Sequence, residues 1–269
     1  QQPANNHLEF NFAESEGAQV LNISRSMNAI ALNGRTSSNG IVGFANNAGL
    51  FINGTAVIDV AGLVAIGGNI SAENFTSGDR FTAQLTGDIT NRGVVNAEGN
   101  IVLLGRNVIN DGTLESGRGT VFLLGAEHAS IANWDSLTDD FLGQKDFFGL
   151  LGEGTITNNG RMEGQNGALL AGRVVNQGEI EVQDGTLLVV GADAIYVSQF
   201  DNPVLIRLPH SQAEANAETQ ADAESSGQSE GSDDPQYAIE NHGTITAGLG
   251  HVRLAASDPR GFGIRQGTG

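Results

Sequence analysis

Residues 89–106 read ITNRGVVNAEGNIVLLGR, and residues 108–125 read VINDGTLESGRGTVFLLG. Each has an apolar residue two positions before an Asn and a Gly two positions after it. A short apolar patch, another Gly and an apolar run ending in Leu-Leu-Gly follow. The Asn-x-Gly unit recurs at Asn91/Gly93, Asn110/Gly112, Asn158/Gly160, Asn176/Gly178 and Asn241/Gly243. Ile or Val precedes every one of these asparagines at the same offset: Ile89, Val108, Ile156, Val174 and Ile239.

A period near twenty residues signals a solenoid. The apolar patches are too short for helices and rich in Val, Ile and Leu, so they read as strands. The glycines between them mark corners. A φ above zero is expected there, which Gly adopts without steric cost and Asn tolerates. Successive coils stack about 4.8 Å apart, so equivalent residues lie above one another. Inward Val, Ile and Leu then form apolar columns, and corner asparagines can form a hydrogen-bonded ladder. One coil cannot bury its own apolar face, but a stack can. The expected fold is all-β: a parallel β-helix of roughly ten rungs, about 50 Å long, in one domain over residues 1–269.

The period breaks twice. Residues 127–153 hold Trp134, Phe141, Phe147 and Phe148. Ser136 with Asp139 reads as a helix start, with Leu137, Phe141, Phe148 and Leu151 on one face. This segment is either a flap over the solenoid or an aromatic partner-binding surface. Residues 193–236 open with AIYVSQF and VLIRL, an extra-helical pair of strands turning at Asp201-Asn202-Pro203. Within them, residues 211–234 contain no Lys, no Arg and no apolar residue larger than Ala. Disorder is expected there, as a solvated spacer or an acidic recognition tail.

The net charge of −18, with Lys145 the only lysine, argues against nucleic acid, which needs Lys/Arg stripes to neutralise phosphates. The absence of cysteine excludes disulfides, Cys-based zinc sites and thiol catalysis. No run of about 18 apolar residues suggests a transmembrane helix, and the polar opening QQPANNHLEF does not read as a signal peptide. His7, His128, His210, His242 and His251 lack metal-ligand spacing, and His242 is merely the spacer of a corner. No calcium-stacking repeat, G-x-S-x-G elbow or phosphate loop is present. The carboxylates are scattered apart from Asp139-Asp140 and Asp233-Asp234, which lie in the insertions. Glu115 and Glu163 occupy similar places in different repeats and could stack on one face, the one arrangement with any bearing on glycoside chemistry. The expectation is no catalytic residue, no cofactor and no metal site.

Upstream of the repeats, residues 32–71 read LNGRTSSNGIVGFANNAGLFINGTAVIDVAGLVAIGGNIS. This stretch resembles the secretion domain of two-partner secretion exoproteins, the filamentous-haemagglutinin family. The matching positions include Asn39, Gly40, Asn46, Gly49, Ala56, Gly62 and Leu63. Val20-Leu21-Asn22 resembles the family's A-L-N, and IENHGTITAGLGHVRLAA resembles its late coil. The family's N-P-N-G core reads Asn46-Asn47-Ala48-Gly49 here. The resemblance implies a right-handed β-helix and a partner, an outer-membrane transporter with periplasmic recognition domains. It also implies a route through the periplasm to the surface or surroundings of a Gram-negative bacterium. The family's domain crosses the periplasm unfolded and folds outside without ATP.

Three functions remain open on the sequence. The first is a secretion and folding-nucleation module of a large adhesin-like exoprotein, with a carbohydrate or protein ligand on a host or surface. The second is a structural or adhesive β-helix without a transporter signal, which the altered N-P-N-G core favours. The third is a carbohydrate-active β-helix enzyme, which the scattered carboxylates disfavour.

Overall fold

The computed structural model describes residues 6–13, 18–70, 81–131, 148–151, 153–192, 194–199, 204–207, 238–257 and 264–266. The chain winds through three parallel sheets in turn. Asp88–Asn91 lies in one sheet (C), Val94–Ala97 in the next (A) and Ile101–Gly105 in the third (B). Asn107–Asn110 then returns beside Asp88–Asn91, and the cycle repeats through Thr113–Ser116 and Thr120–Gly125. The two repeats are therefore consecutive rungs, paired Ile89 to Val108, Val95 to Leu114 and Leu103 to Leu123. The fold is an all-β parallel β-helix. Among the described residues each of its three sheets has eight strands, fewer than the ten rungs expected, so the stack spans about 34 Å.

Two cores hold the solenoid. Leu63, Leu103, Val95, Leu114, Ile89 and Val108 fill the interior and are at most 0 % exposed. A second core lies on the outer face of sheet B, where Ile66, Leu104, Phe122 and Leu124 pack against Ala83, Ala129 and Ile195. Those last three belong to a fourth sheet, which is antiparallel. Its strands run in the order Val204–Arg207, Ala194–Gln199, Phe148–Leu151, His128–Ile131, Phe81–Gln84. The middle strands of sheet B are thus buried on both faces and are continuous apolar runs such as TVFLLG. Sheets A and C have one wet face, so TLES and NVIN alternate. Full burial of a side chain such as Phe122 stabilises by about 1.5–3 kcal/mol.

The fourth sheet contains strands from both insertions. The helix start at Ser136 and the acidic stretch 211–234 lie outside the described residues, but Phe148 and Leu151, expected on a helix face, instead bound a strand of this sheet, held by antiparallel pairing on both sides.

The corner glycines act by a different physical cause from the one the sequence suggests. Among the described glycines, only Gly49 has a left-handed backbone, with φ 96°. Gly93, Gly112, Gly160, Gly178 and Gly243 instead form a column in which the backbones approach closely. A Cβ on Gly112 would lie 2.2 Å from the Gly93 carbonyl oxygen, and one on Gly160 would lie 2.0 Å from that of Gly112. Glycine is needed there because the rungs touch, not because the chain turns left.

Candidate functional site

Residues 39–65 supply most of the second rung and the third. Asn39 stands at the corner before the strand Ile41–Asn46. Its Oδ1 accepts from the Phe12 amide at 2.9 Å, and its Nδ2 donates to the Phe12 carbonyl at 2.8 Å. The side chain thus imitates a strand partner for a residue of the first rung. Gly40 completes this contact, since a Cβ there would come within 2.6 Å of the Phe12 ring and of the Ala18 carbonyl oxygen.

Asn46 does the same at the next corner. It is 2 % exposed. Its Oδ1 accepts from the Ala48 amide at 2.6 Å, closing an Asx turn. Its Nδ2 donates to the Ser24 carbonyl at 3.0 Å and the Ser26 carbonyl at 3.1 Å. Gly49 follows with its positive φ, and a Cβ there would also strike the Asp88 carbonyl oxygen. Two asparagines of the second rung therefore fasten two of the first coil's three corners. Sequence reasoning singled out Asn39 and Asn46 but not Phe12, Ser24 or Ser26. Those partners lie 20 to 27 residues away and become visible only once the rung register is known.

The remaining motif residues are structural neighbours. Ala56 is buried, and its carbonyl accepts from the Val94 amide at 3.0 Å. Gly62 and Leu63 begin the wholly buried strand Gly62–Ile66, and the Leu63 amide donates to the Asn100 carbonyl at 3.0 Å. A shallow surface hollow beside Gly62 is lined by Ile41, Ala61, Val64, Gly99, Asn100 and Val102. No titratable side chain lines it.

The Asn-x-Gly asparagines form one directional ladder. Asn91 donates to Asn110 at 2.9 Å, Asn110 to Asn158 at 2.8 Å, Asn158 to Asn176 at 2.8 Å and Asn176 to Asn241 at 2.7 Å. Each link runs from Nδ2 to the Oδ1 of the following rung. A carboxamide suits this place because it carries donor and acceptor together. Asn91, Asn110 and Asn158 are fully buried, so each link satisfies polar atoms that water cannot reach.

On the outer face of sheet A, Glu115 and Glu163 are indeed register partners, and Glu181 stands next in the column. Arg161 binds Glu163 at 2.6 Å, Glu181 at 2.8 Å and Glu179 at 3.6 Å. The hydrogen bond that Arg161 donates to Glu163, and the charge of that carboxylate, hold the Arg161 pKa above its ordinary value. Sequence reasoning missed Arg161, Glu179 and Glu181, whose alignment also follows only from the register. His242 lies beside Glu240 at 3.3 Å, and Arg173 binds the same carboxylate at 2.8 Å. Among the described residues no group of three His, Asp or Glu could hold a metal ion, and no helix is long and apolar enough to cross a membrane.

No protein-family model matches the chain, and no curated protein sequence matches it. Among solved structures, the chain is similar to the HMW1 secretion domain from Haemophilus influenzae, with 20 % identity and a TM-score of 0.59. The likeness covers 70 % of this chain and 60 % of that one. The chain thus spans less than two thirds of that chain's length. At this identity the likeness concerns the fold, the stacked parallel coils.

Proposed function

We propose that the chain is a secretion and folding-nucleation module of a large exoprotein, recognised by an outer-membrane transporter through residues 39–65. The observation that carries this reading is the likeness of the fold to a solved secretion domain. The resemblance of residues 39–65 to the two-partner secretion motif supports it independently. The proposed partner carries periplasmic recognition domains. The proposed destination is the surface or surroundings of a Gram-negative bacterium, where the exoprotein acts as an adhesin toward a carbohydrate or protein ligand. No enzymatic step is assigned.

The physics of the fold suits this task. Each rung pairs only with the rungs beside it, and contacts such as Val20 with Val42, Ile89 with Val108 and Ile156 with Val174 are local in sequence, so structure can propagate from the first coils outward as the chain emerges. Asn39 and Asn46 act early in such a sequence, because they close the first rung on the second. Before folding, the same segment is an extended chain with unpaired backbone groups, a form suited to strand addition on a receptor sheet edge.

The structural roles of Asn39, Asn46 and Gly49 favour one alternative, a β-helix module whose motif serves folding alone. Release into the medium separates the two. With a matched transporter co-expressed, the chain is expected outside the cell, and without it inside. Release independent of the transporter overturns the proposal.

A further inference from the structure

The chain contains five Asn-Gly pairs: Asn33-Gly34, Asn39-Gly40, Asn53-Gly54, Asn159-Gly160 and Asn166-Gly167. This dipeptide has a chemistry of its own. The glycine nitrogen can attack the carboxamide carbon of the asparagine, and glycine has no Cβ to obstruct the approach. The fold decides which of the five pairs is free to react.

Four pairs are held. The Asn39 carboxamide is bonded at both ends to Phe12, and the Gly40 amide donates to Ser38 Oγ at 3.0 Å. The Gly160 amide donates to the Asn110 carbonyl at 2.9 Å, inside the column of touching glycines. Asn166 Oδ1 accepts from the Thr186 amide at 2.9 Å, and Gly167 is buried within the strand Asn166–Ala171. Asn33 Oδ1 accepts from Asn53 Nδ2, and Gly34 is buried.

Asn53-Gly54 stands apart. Ile52 pairs with Asn91 and Val57 with Val94, so this corner carries two more residues than the corner of the next rung. They bulge as a turn closed by the Ala56 amide donating to the Asn53 carbonyl at 2.9 Å. Gly54 and Thr55, at its tip, are exposed. Among the described residues the Gly54 amide donates to no other group. A Cβ on Gly54 would meet nothing nearer than the Arg92 carbonyl oxygen at 3.7 Å, against 2.6 Å at Gly40, 2.0 Å at Gly160 and 2.8 Å at Gly167. The nucleophile is unengaged, and water reaches it.

We infer that Asn53 is a site of spontaneous deamidation in the folded protein. The Gly54 nitrogen gives its proton to base and bonds to Asn53 Cγ. The Cγ–Nδ2 bond breaks, and Nδ2 leaves as ammonia. Water then opens the five-membered imide at either carbonyl, giving aspartate or isoaspartate. One water is consumed and one ammonia released, with no redox step. The product alters the corner. Asn53 loses the amide that donates to Asn33, and a carboxylate then faces an acceptor oxygen. Isoaspartate also adds a methylene to the backbone, which displaces the Asn53 and Ala56 carbonyls against which Gly93 is seated. Ageing therefore loosens the corner that joins the first three rungs. This inference does not rest on the secretion reading.

The test incubates the full folded chain at pH 7 and pH 9 and maps its peptides by mass spectrometry, with isoaspartate read by enzymatic methyl transfer. Each rate is divided by the rate of the same pair in the chain unfolded in guanidinium chloride. Asn53 is expected to convert fastest, and faster at pH 9. The other four pairs should lag it by about tenfold or more, because they react only from locally opened states. Gly54 has room for a Cβ and no left-handed φ. The Gly54→Ala chain should therefore keep its native circular dichroism and convert several-fold more slowly at Asn53. Aged chain, separated by its added charge, should melt below fresh chain. An Asn53 as protected as the other four overturns the inference. So does a Gly54→Ala chain that converts as fast as the parent, or an aged chain that melts no lower than the fresh one.

Discussion

Asn110 sits in the middle of the asparagine ladder, 0 % exposed. Its Oδ1 accepts from Asn91 at 2.9 Å, and its Nδ2 donates to Asn158 at 2.8 Å and to the Arg161 carbonyl at 3.1 Å. Truncation to Ala affects the two sides unequally. Asn91 keeps a second acceptor, the Thr113 carbonyl at 3.2 Å, whereas Asn158 Oδ1 loses the donor above it. A stranded buried acceptor costs about 1–3 kcal/mol, and the vacated volume adds to this. The expected loss for Asn110→Ala is about 2–4 kcal/mol, a fall in Tm of roughly 5–15 °C for a domain of this size. Asn241 ends the ladder in a half-buried place and donates to its own Gly243 carbonyl at 3.3 Å. Asn241→Ala should therefore cost about 1 kcal/mol or less. Asn110→Asp adds a pH signature. Burial and the facing carbonyl oxygens raise the folded pKa of the new carboxyl above its unfolded value of about 3.9. The folded state then binds the proton more tightly, so stability is greatest in acid and falls as pH rises through that window. Thermal melts from pH 3 to 8 read all three variants. Equal small losses for Asn110→Ala and Asn241→Ala, with no acid recovery for Asn110→Asp, would refute the ladder as a load shared between rungs.

Gly112→Val should destabilise far more than Thr113→Val, because a Cβ at Gly112 meets the Gly93 carbonyl oxygen at 2.2 Å while Thr113 is a strand position that accepts Val; equal melting temperatures would contradict the close-approach account. Thr36 is 0 % exposed and its Oγ1 has no hydrogen-bond partner, so Thr36→Val should stabilise by about 1–2 kcal/mol in chemical denaturation. Arg161→Met should lower Tm at pH 7, since Glu163, Glu179 and Glu181 lose their shared cation, and the effect should shrink in high salt and in acid where the carboxylates are neutral. An unchanged Tm at low salt would mean that these exposed pairs contribute nothing.

The β-helix was legible because stacking makes equivalent residues repeat: Ile89, Val108, Ile156, Val174 and Ile239 are one column written five times. The asparagine ladder was legible for the same reason. The partners of Asn39 and Asn46 were not, because Phe12, Ser24 and Ser26 engage through backbone atoms that leave no mark on residue type. The corner glycines were recognised with the wrong cause. A glycine forced by φ and one forced by a carbonyl in the adjacent rung look alike in a sequence, and only Gly49 has the former conformation among the described residues. The buried outer face of sheet B was written in runs such as TLLVV, but the sheet that covers it comes from three separate stretches of chain, including Phe81–Gln84.

The central proposal is that residues 39–65 are read by a transporter and do not merely fold. Asn39 and Asn46 also hold the first rung, so a loss of secretion on changing them has two causes that must be separated. The decisive measurement is secreted protein per cell, with a matched transporter, for Asn39→Leu/Asn46→Leu beside Asn110→Ala, whose ladder lies outside the motif. Purified chains give the stability of each. If the segment is a recognition sequence, the double variant is secreted less than Asn110→Ala even where the two are equally destabilised, and Asn47→Pro/Ala48→Asn is secreted more than the parent. If secretion follows stability alone across these variants, the segment is ordinary β-helix and the recognition claim is wrong.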